Sequence, residues 1–435
     1  MNVTKVKSMI SGLIDDMEKT KQNFVVNPQK DFTRTRMISF SDTIRCLLNM
    51  ESGTLNTELR CFFSTHNSEI PTSSAFIQQR TKLRNNIFSH IFQSLNLSFP
   101  FQKLQKGYHL LAVDGSDTNI PSLKNSPETT VRSNTKGVDY HQFHLNAMFD
   151  LLEHRYVDYV IQPRATADER AAFCEMVRKN TINGKCIYIC DRGYSSLNTI
   201  YTVISAGQFF LFRLQDLKGK NSLFKYTETP CNQSFDIDIE FHVTRCNKKE
   251  YRNDKAKYKI VRTERIFDGI PSGDRKSIIV LNFRLLKFML DNGSYEYIAT
   301  NLPKSEFDIY AIRELYNKRW GIETSFRILK YNLSLSFFHS KKRVFIIQEL
   351  EARLIAFNIT MLLVSCAHVK KHGHKYKYKV AISDAVVTMR LFLAGKLSAK
   401  KVINDLLRYL TPIRPGRSFQ RKVRSKRVIP FNYRG

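Results

Sequence analysis

Residues 186–194 read Cys186-Ile-Tyr-Ile-Cys190-Asp191-Arg-Gly-Tyr194. A short unbroken apolar run that stops on a carboxylate and a glycine predicts a buried strand with a turn at its end. The same form stands upstream, where His109-Leu-Leu-Ala-Val113 runs into Asp114-Gly-Ser. Between the two, Phe143 to Leu152 and Tyr156 to Ile161 predict strands joined by a turn at Glu153-His154, and Ala165 to Lys179 predicts a helix. A helix near Ser195–Ala206 and a strand at Phe209–Leu214 follow. Strands alternating with helices make an α/β core.

Further out the rhythm changes. Phe235–Thr244, Tyr258–Thr263 and Ser277–Leu285 predict strands between polar, basic turns, and Tyr295–Thr300 leads back out. This is the pattern of an inserted β-rich module. A long helix then starts near Ser305 and contains Tyr316 to Leu329, with more helices at Phe345–His368, Ile382–Ala394 and Ser398–Tyr409. Before the core, Ser41-Asp42 reads as a capped helix start, and Pro71-Thr-Ser-Ser opens a helix with apolar Phe76, Ile77, Leu83, Ile87, Ile91 and Phe92. Its other face carries Arg80, Lys82 and Arg84, which suits DNA reading, although an ordinary solvated face has the same pattern. The expected division is a helical DNA-end-binding region at 1–104, the first part of the core at 105–215 and the insert at 216–304. A catalytic helix at 305–340 completes the core, followed by C-terminal helices at 341–410 and a basic tail at 411–435.

Composition narrows the partner. Lys and Arg number 69 against 39 Asp and Glu, a formal charge of +30, so phosphates are the natural counterpart. The 42% of hydrophobic residues allows real cores and excludes a simple basic tail protein. Eight cysteines without a C-x-x-C pair predict reduced, buried thiols in the cytoplasm. The start of the chain has no apolar core of a signal peptide. Leu350 to Val369 carries Glu351, Arg353 and Asn358, so a packed helix is expected rather than a membrane span. From Arg414 to Gly435 there are eight basic residues and no acid, as in an arm that tracks phosphates or a solvated tail.

Chemistry gathers at two places. Asp114 and Asp191 each follow a buried strand, and ligands collect outside the carboxyl ends of strands in α/β sheets. Should the two strands be neighbours, the carboxylates converge and suit Mg²⁺, which takes a few carboxylates plus phosphate oxygens. Either aspartate alone is as well explained as a turn former or helix cap. Along the helix stand Tyr316, Arg319, Glu323 and Lys330, at offsets of 3, 7 and 14 from the tyrosine. At about 3.6 residues per turn these share one face, with Ile322, Phe326 and Leu329 left for packing.

The spacing Tyr316-x2-Arg319-x3-Glu323-x6-Lys330 resembles the Y-R-E-K signature of DDE transposases of the insertion sequence 4 family. Asp114-Gly-Ser and Asp191-Arg-Gly-Tyr resemble that family's first and second catalytic aspartate motifs, and the β-rich stretch resembles its insertion. The resemblance covers at least 105–335. It implies an RNase H-like core in which Asp114, Asp191 and Glu323 hold two Mg²⁺ ions, with Mn²⁺ able to substitute. It implies a transposase that binds terminal inverted repeats, cleaves the ends and joins them to target DNA. Tyr316, Arg319 and Lys330 would grip the transposon end, and Arg192 is a further phosphate ligand. The partners would be double-stranded DNA, as element ends and target, and a second copy of the chain in a homodimer on DNA. No membrane and no small-molecule substrate is expected, and the place is a bacterial cytoplasm at the nucleoid. Two other readings remain: an RNase H-like nuclease without strand transfer, and a catalytically inactive DNA-binding descendant.

One departure concerns the hairpin step. Family members that form hairpins stack a flipped base on a tryptophan of the insert, whereas the single Trp320 lies in the signature helix. Either Tyr295 or Tyr297 stacks the base instead, or no hairpin forms. His141-x2-His144 resembles a metal pair but lacks a third ligand nearby, and reads better as part of a strand.

Overall fold

One sheet of ten strands runs through the molecule, and residues 186–190 lie near its middle. The computed structural model describes the chain except residues 1, 65–68, 124, 133–138, 216, 218, 220–221, 231–233, 291–292, 370–375, 415–431 and 434–435. The basic tail beyond Arg414 therefore falls almost wholly outside the described residues, as does Cys231.

The strands are β1 (Tyr108–Ile120), β2 (Thr130–Val131), β3 (Tyr140–Asp150), β4 (Arg155–Pro163) and β5 (Lys185–Cys190). They continue with β6 (Phe209–Arg213), β7 (Phe235–Thr244), β8 (Tyr258–Ile260), β9 (Ile278–Met289) and β10 (Tyr295–Thr300). β1 pairs antiparallel with β3, and β3 with β4, while β5 lies parallel to β1 and β6 parallel to β5. The order β4-β3-β1-β5-β6 is the arrangement expected of an RNase H-like α/β core. Burial explains the apolar runs. Leu110 and Ala112 of β1 join one core, and Leu111 and Val113 join the other across the sheet. A strand covered on both faces needs an apolar residue at every position.

The helices are α1 (Val3–Lys19), α2 (Phe40–Asn49), α3 (Leu55–Phe63), α4 (Ser73–Arg80) and α5 (Ile87–Ser98) before the sheet. Within it come α6 (Glu169–Lys179), α7 (Leu197–Ser205) and α8 (Lys249–Asn253). After it come α9 (Ile309–Asn317), α10 (Trp320–Tyr331), α11 (Arg343–Cys366), α12 (Ile382–Leu393) and α13 (Ala399–Arg408). α6 and α7 pack on one face of the sheet, and the N- and C-terminal helices on the other. α11 is buried along most of its length, including Gln348, Glu349, Arg353 and Asn358. Among the described residues no helix is long and apolar enough to cross a membrane.

Several expectations need correcting. The β-rich stretch does not fold on its own sheet: β10 pairs with β6, β9 with β10 and β7 with β9, so the inserted strands widen the core sheet. This pairing satisfies the edge of β6, which would otherwise present unpaired backbone groups. The helix opened at Pro71 breaks in two. Residues 81–86 link α4 to α5, and Leu83 bridges to Val25, so Lys82 and Arg84 lie off any helix. Arg80 does not face solvent. It is 2% exposed, donating from Nε to Gln348 and from Nη1 to Glu349, both at 2.8 Å. A guanidinium so engaged ties α4 to α11 and is not free to meet a phosphate. The cap of α2 is Ser39, in a capping box with Asp42, rather than Ser41. Cys61 is exposed, unlike the other described cysteines. β1 runs on past Asp114 to Ile120, and the long helix expected from Ser305 is interrupted at Lys318-Arg319.

Candidate active site

The parallel register of β1 and β5 sets Val113 opposite Cys190. The next residue on each strand is an aspartate, so Asp114 and Asp191 stand side by side at one level of the sheet. Asp114 lies in mid-strand, and its Oδ1 accepts the Gly115 N–H at 2.9 Å. Asp191 follows the last residue of β5 and accepts the Arg192 N–H at 2.8 Å, capping a single tight turn over Arg192–Tyr194.

α9 and α10 bring the third acid. Between them the chain keeps turning through i→i−3 bonds, from Arg319 N–H to Tyr316 and from Ile322 N–H to Arg319, each at 3.0 Å. Such a tightened turn is a stretch of 3₁₀ geometry inside a helical run. It turns Arg319 inward, where it is 4% exposed. Its Nη2 lies 2.8 Å from Glu323 Oε1 and its Nη1 3.3 Å from Asp114 Oδ2. Tyr316, also buried, donates its hydroxyl to Asp191 Oδ1 at 3.4 Å. Five of the residues singled out in the sequence thus meet: Asp114, Asp191, Tyr316, Arg319 and Glu323.

Two further residues belong here and were not expected. Arg213 ends β6 as Asp191 follows β5, with Nη1 3.9 Å from Asp191 and Nε 2.9 Å from Glu296 of β10. The available signal was position: Arg213 is the charged residue closing the next apolar strand. Glu296 had none, because its place depends on the pairing of β10 with β6.

Electrostatics follow from this crowding. Burial pushes the Asp114 carboxyl up to about 6, against the pull of Arg319 and of the Gly115 N–H, and Glu323 and Asp191 push the same way. Burial also raises the Tyr316 hydroxyl far beyond its usual range, so it stays a donor. For Arg319 burial works against the charge, yet Tyr316, Asp114, Asp191 and Glu323 outweigh it and the guanidinium is held more firmly protonated than usual. Lys330 stands about two turns beyond Glu323, half-buried, its ammonium lowered by burial and supported by Asp117. Arg192 is exposed beside Asp191. Arg80, Lys82 and Arg84 take no part in this site; Lys82 donates to Gln79 and Arg84 to the Val25 carbonyl. His141 and His144 do not converge either: His141 Nδ1 is 2.7 Å from the Thr129 hydroxyl, whereas His144 Nδ1 is 2.6 Å from Asp117.

The donor set suits a hard divalent cation, being three carboxylates on rigid elements whose mutual repulsion is balanced chiefly by Arg319. Among the described residues no three His, Cys, Asp or Glu side chains are drawn together tightly enough to ligate an ion as they stand. Arg319 spans the gap between Asp114 and Glu323, in the place where positive charge is required.

Comparison with known proteins gives a family match and matches among solved structures. The family described as transposase DDE domain matches residues 105–359. No curated protein is a significant match for the chain. A solved structure, the synaptic complex of piggyBac transposase with hairpin DNA, aligns at 11% identity and a TM-score of 0.45. That alignment covers 94% of this chain and 84% of the other.

Proposed function

Since the chain belongs to the transposase DDE domain family, we propose that it cuts DNA at the ends of a mobile element and joins those ends to target DNA. The observation that carries this reading is the adjacency of Asp114 and Asp191 on parallel β1 and β5, with Glu323 linked to Asp114 through Arg319. Within the family, the spacing of Tyr316, Arg319, Glu323 and Lys330 favours the insertion sequence 4 group.

Asp114, Asp191 and Glu323 would hold two Mg²⁺ ions, for which Mn²⁺ can substitute. Bound there, the ions supply the Lewis acidity that an in-line displacement at phosphorus needs at its attacking and leaving oxygens. The chain's own groups do the rest. Arg319, relieved of Asp114 and Glu323 as counter-ions, presents a planar fork that matches two phosphate oxygens. Tyr316 donates a hydrogen bond from a hydroxyl that stays protonated. Lys330 and Arg192 add charge along the backbone of the element end. The same carboxylates serve hydrolysis at the end and attack by the freed 3′-hydroxyl on the target. Two ends held together call for a homodimer on DNA.

The test is a cleavage and strand-transfer assay on duplexes carrying the inverted repeats that flank the gene, with Mg²⁺. Wild-type protein should nick and then join. Glu323→Gln should lose cleavage by on the order of a thousandfold while end binding persists. Cleavage retained by that variant would remove Glu323 from the site, and cleavage without joining would favour a plain nuclease.

A further inference from the structure

Behind the catalytic strand, on the face of the sheet opposite Asp114, lies a second charged cluster. Side chains alternate along β1, so Gly115 and Asp117 point to the face that α6 covers. His144 of β3 stands directly across from Asp117 in the ladder. It is 3% exposed, with Nδ1 2.6 Å from Asp117 Oδ1 and Nε2 3.2 Å from Glu169 Oε1 at the start of α6. Arg164 Nε closes on Asp117 at 2.9 Å. Burial opposes charge on the imidazole, but the two carboxylates hold it protonated, up to about 9.

The cluster touches the backbone beside both catalytic aspartates. A side chain at Gly115, next to Asp114, would overlap His144 Nε2 and come within 3.2 Å of Glu169 Oε1. A Cβ at Gly193, two residues past Asp191, would lie 3.4 Å from Glu169 Oε2. The neighbouring Arg170 donates from Nε to the Gly193 carbonyl at 2.8 Å. The first turn of α6 therefore grips β1 through Glu169, His144 and Asp117, and the turn after Asp191 through Arg170, with Glu169 lying close to Gly193. We infer that His144 and Glu169 are positioning residues for cleavage, a clamp on the reverse face of the sheet that fixes Asp114 relative to Asp191. Neither reaches the reacting atoms. Gly115 is a glycine because the imidazole fills the space of its side chain.

The inference rests on the DNA-cutting function proposed above. Single-turnover cleavage of end duplexes is compared for wild type, His144→Ala, Glu169→Gln and Gly115→Ala, with thermal melts to identify any variant that has not folded. Glu169 is 42% exposed at its side chain, so Glu169→Gln keeps the test open should His144→Ala unfold. At saturating DNA and Mg²⁺ each variant should cut about ten- to a hundredfold more slowly, as losses around a metal site do. The half-saturating Mg²⁺ concentration should rise, and the Kd for end DNA should stay within about twofold. His144→Ala with Gly115→Ala should be no slower than His144→Ala alone, because the overlap is gone. Folded variants that cut like wild type, or that lose only DNA affinity, would overturn the clamp. A wild type that cuts no end with Mg²⁺ or Mn²⁺ would instead overturn the functional proposal.

Discussion

Arg319 is the residue whose role depends most on its surroundings. Its spacing from Tyr316 and Glu323 places it on the active face, and that much follows from helical period. Period does not say whether the side chain reaches outward to DNA or inward to the acids. The structure turns it inward, 3.3 Å from Asp114 and 2.8 Å from Glu323. Removing it leaves two carboxylates facing each other with little compensation. Arg319→Met should lower the metal-free stability by on the order of 2 kcal/mol, and Mg²⁺ should restore more of the melting temperature in the variant than in wild type. Equal Mg²⁺ shifts in paired thermal melts would show that the guanidinium and the ions do not share one electrostatic task. Asp114 teaches a related lesson. The Gly-Ser after it reads as a turn, yet the strand continues because β3 pairs with it out to Ile120, and the glycine makes room for the ring of His144. A local pattern cannot register a neighbour supplied by the fold.

At the scale of elements, what was legible was local and what was missed was paired at long range. Phe235–Thr244 forms a strand with the bounds expected, because apolar and β-branched runs between turns mark themselves, and Tyr295–Thr300, read only as leading back out, is a strand too. That those strands extend the core sheet depends on the contact of β10 with β6, some ninety residues earlier in the chain. The short pair of Lys377–Val380 with Leu410–Ile413 was invisible for the same reason. The junction of α4 with α11 is another case, since Arg80 reads as surface until Glu349 is placed against it. There burial would raise the Glu349 carboxyl, but Arg80, His339 and Arg353 hold it down at about 2. A carboxyl depressed in the folded state stabilises above its unfolded pKa, and the gain is lost as pH falls through the folded value. The window is therefore from about 4.5 down to about 2, and the stake is on the order of 3 kcal/mol. Glu349→Gln should be less stable at neutral pH, and its melting temperature should fall less than that of wild type across that window. Parallel melting curves would refute the linkage.

The whole molecule is knit by one core that takes residues from both ends of the chain, from Val3 to Leu406. α11 lies at its centre. Asn358 accepts the Tyr156 N–H of β4 at 2.8 Å and donates to Asn96 of α5 at 3.1 Å, while Glu349 receives Arg80. A chain shortened to end at residue 340 would leave these buried partners unpaired and the inner faces of α2 and α5 bare. It should show no cooperative melt, even though it retains Asp114, Asp191 and Glu323; a sharp transition would mean that the sheet folds without α11. Placing that helix so late also sets a schedule. On the ribosome, the first hundred residues emerge well before the surface that will receive them, and the nascent chain has all its acids before it has the frame to aim them. Competence to cut would then arrive in one step once α11 has emerged and docked, rather than growing in as the polypeptide lengthens.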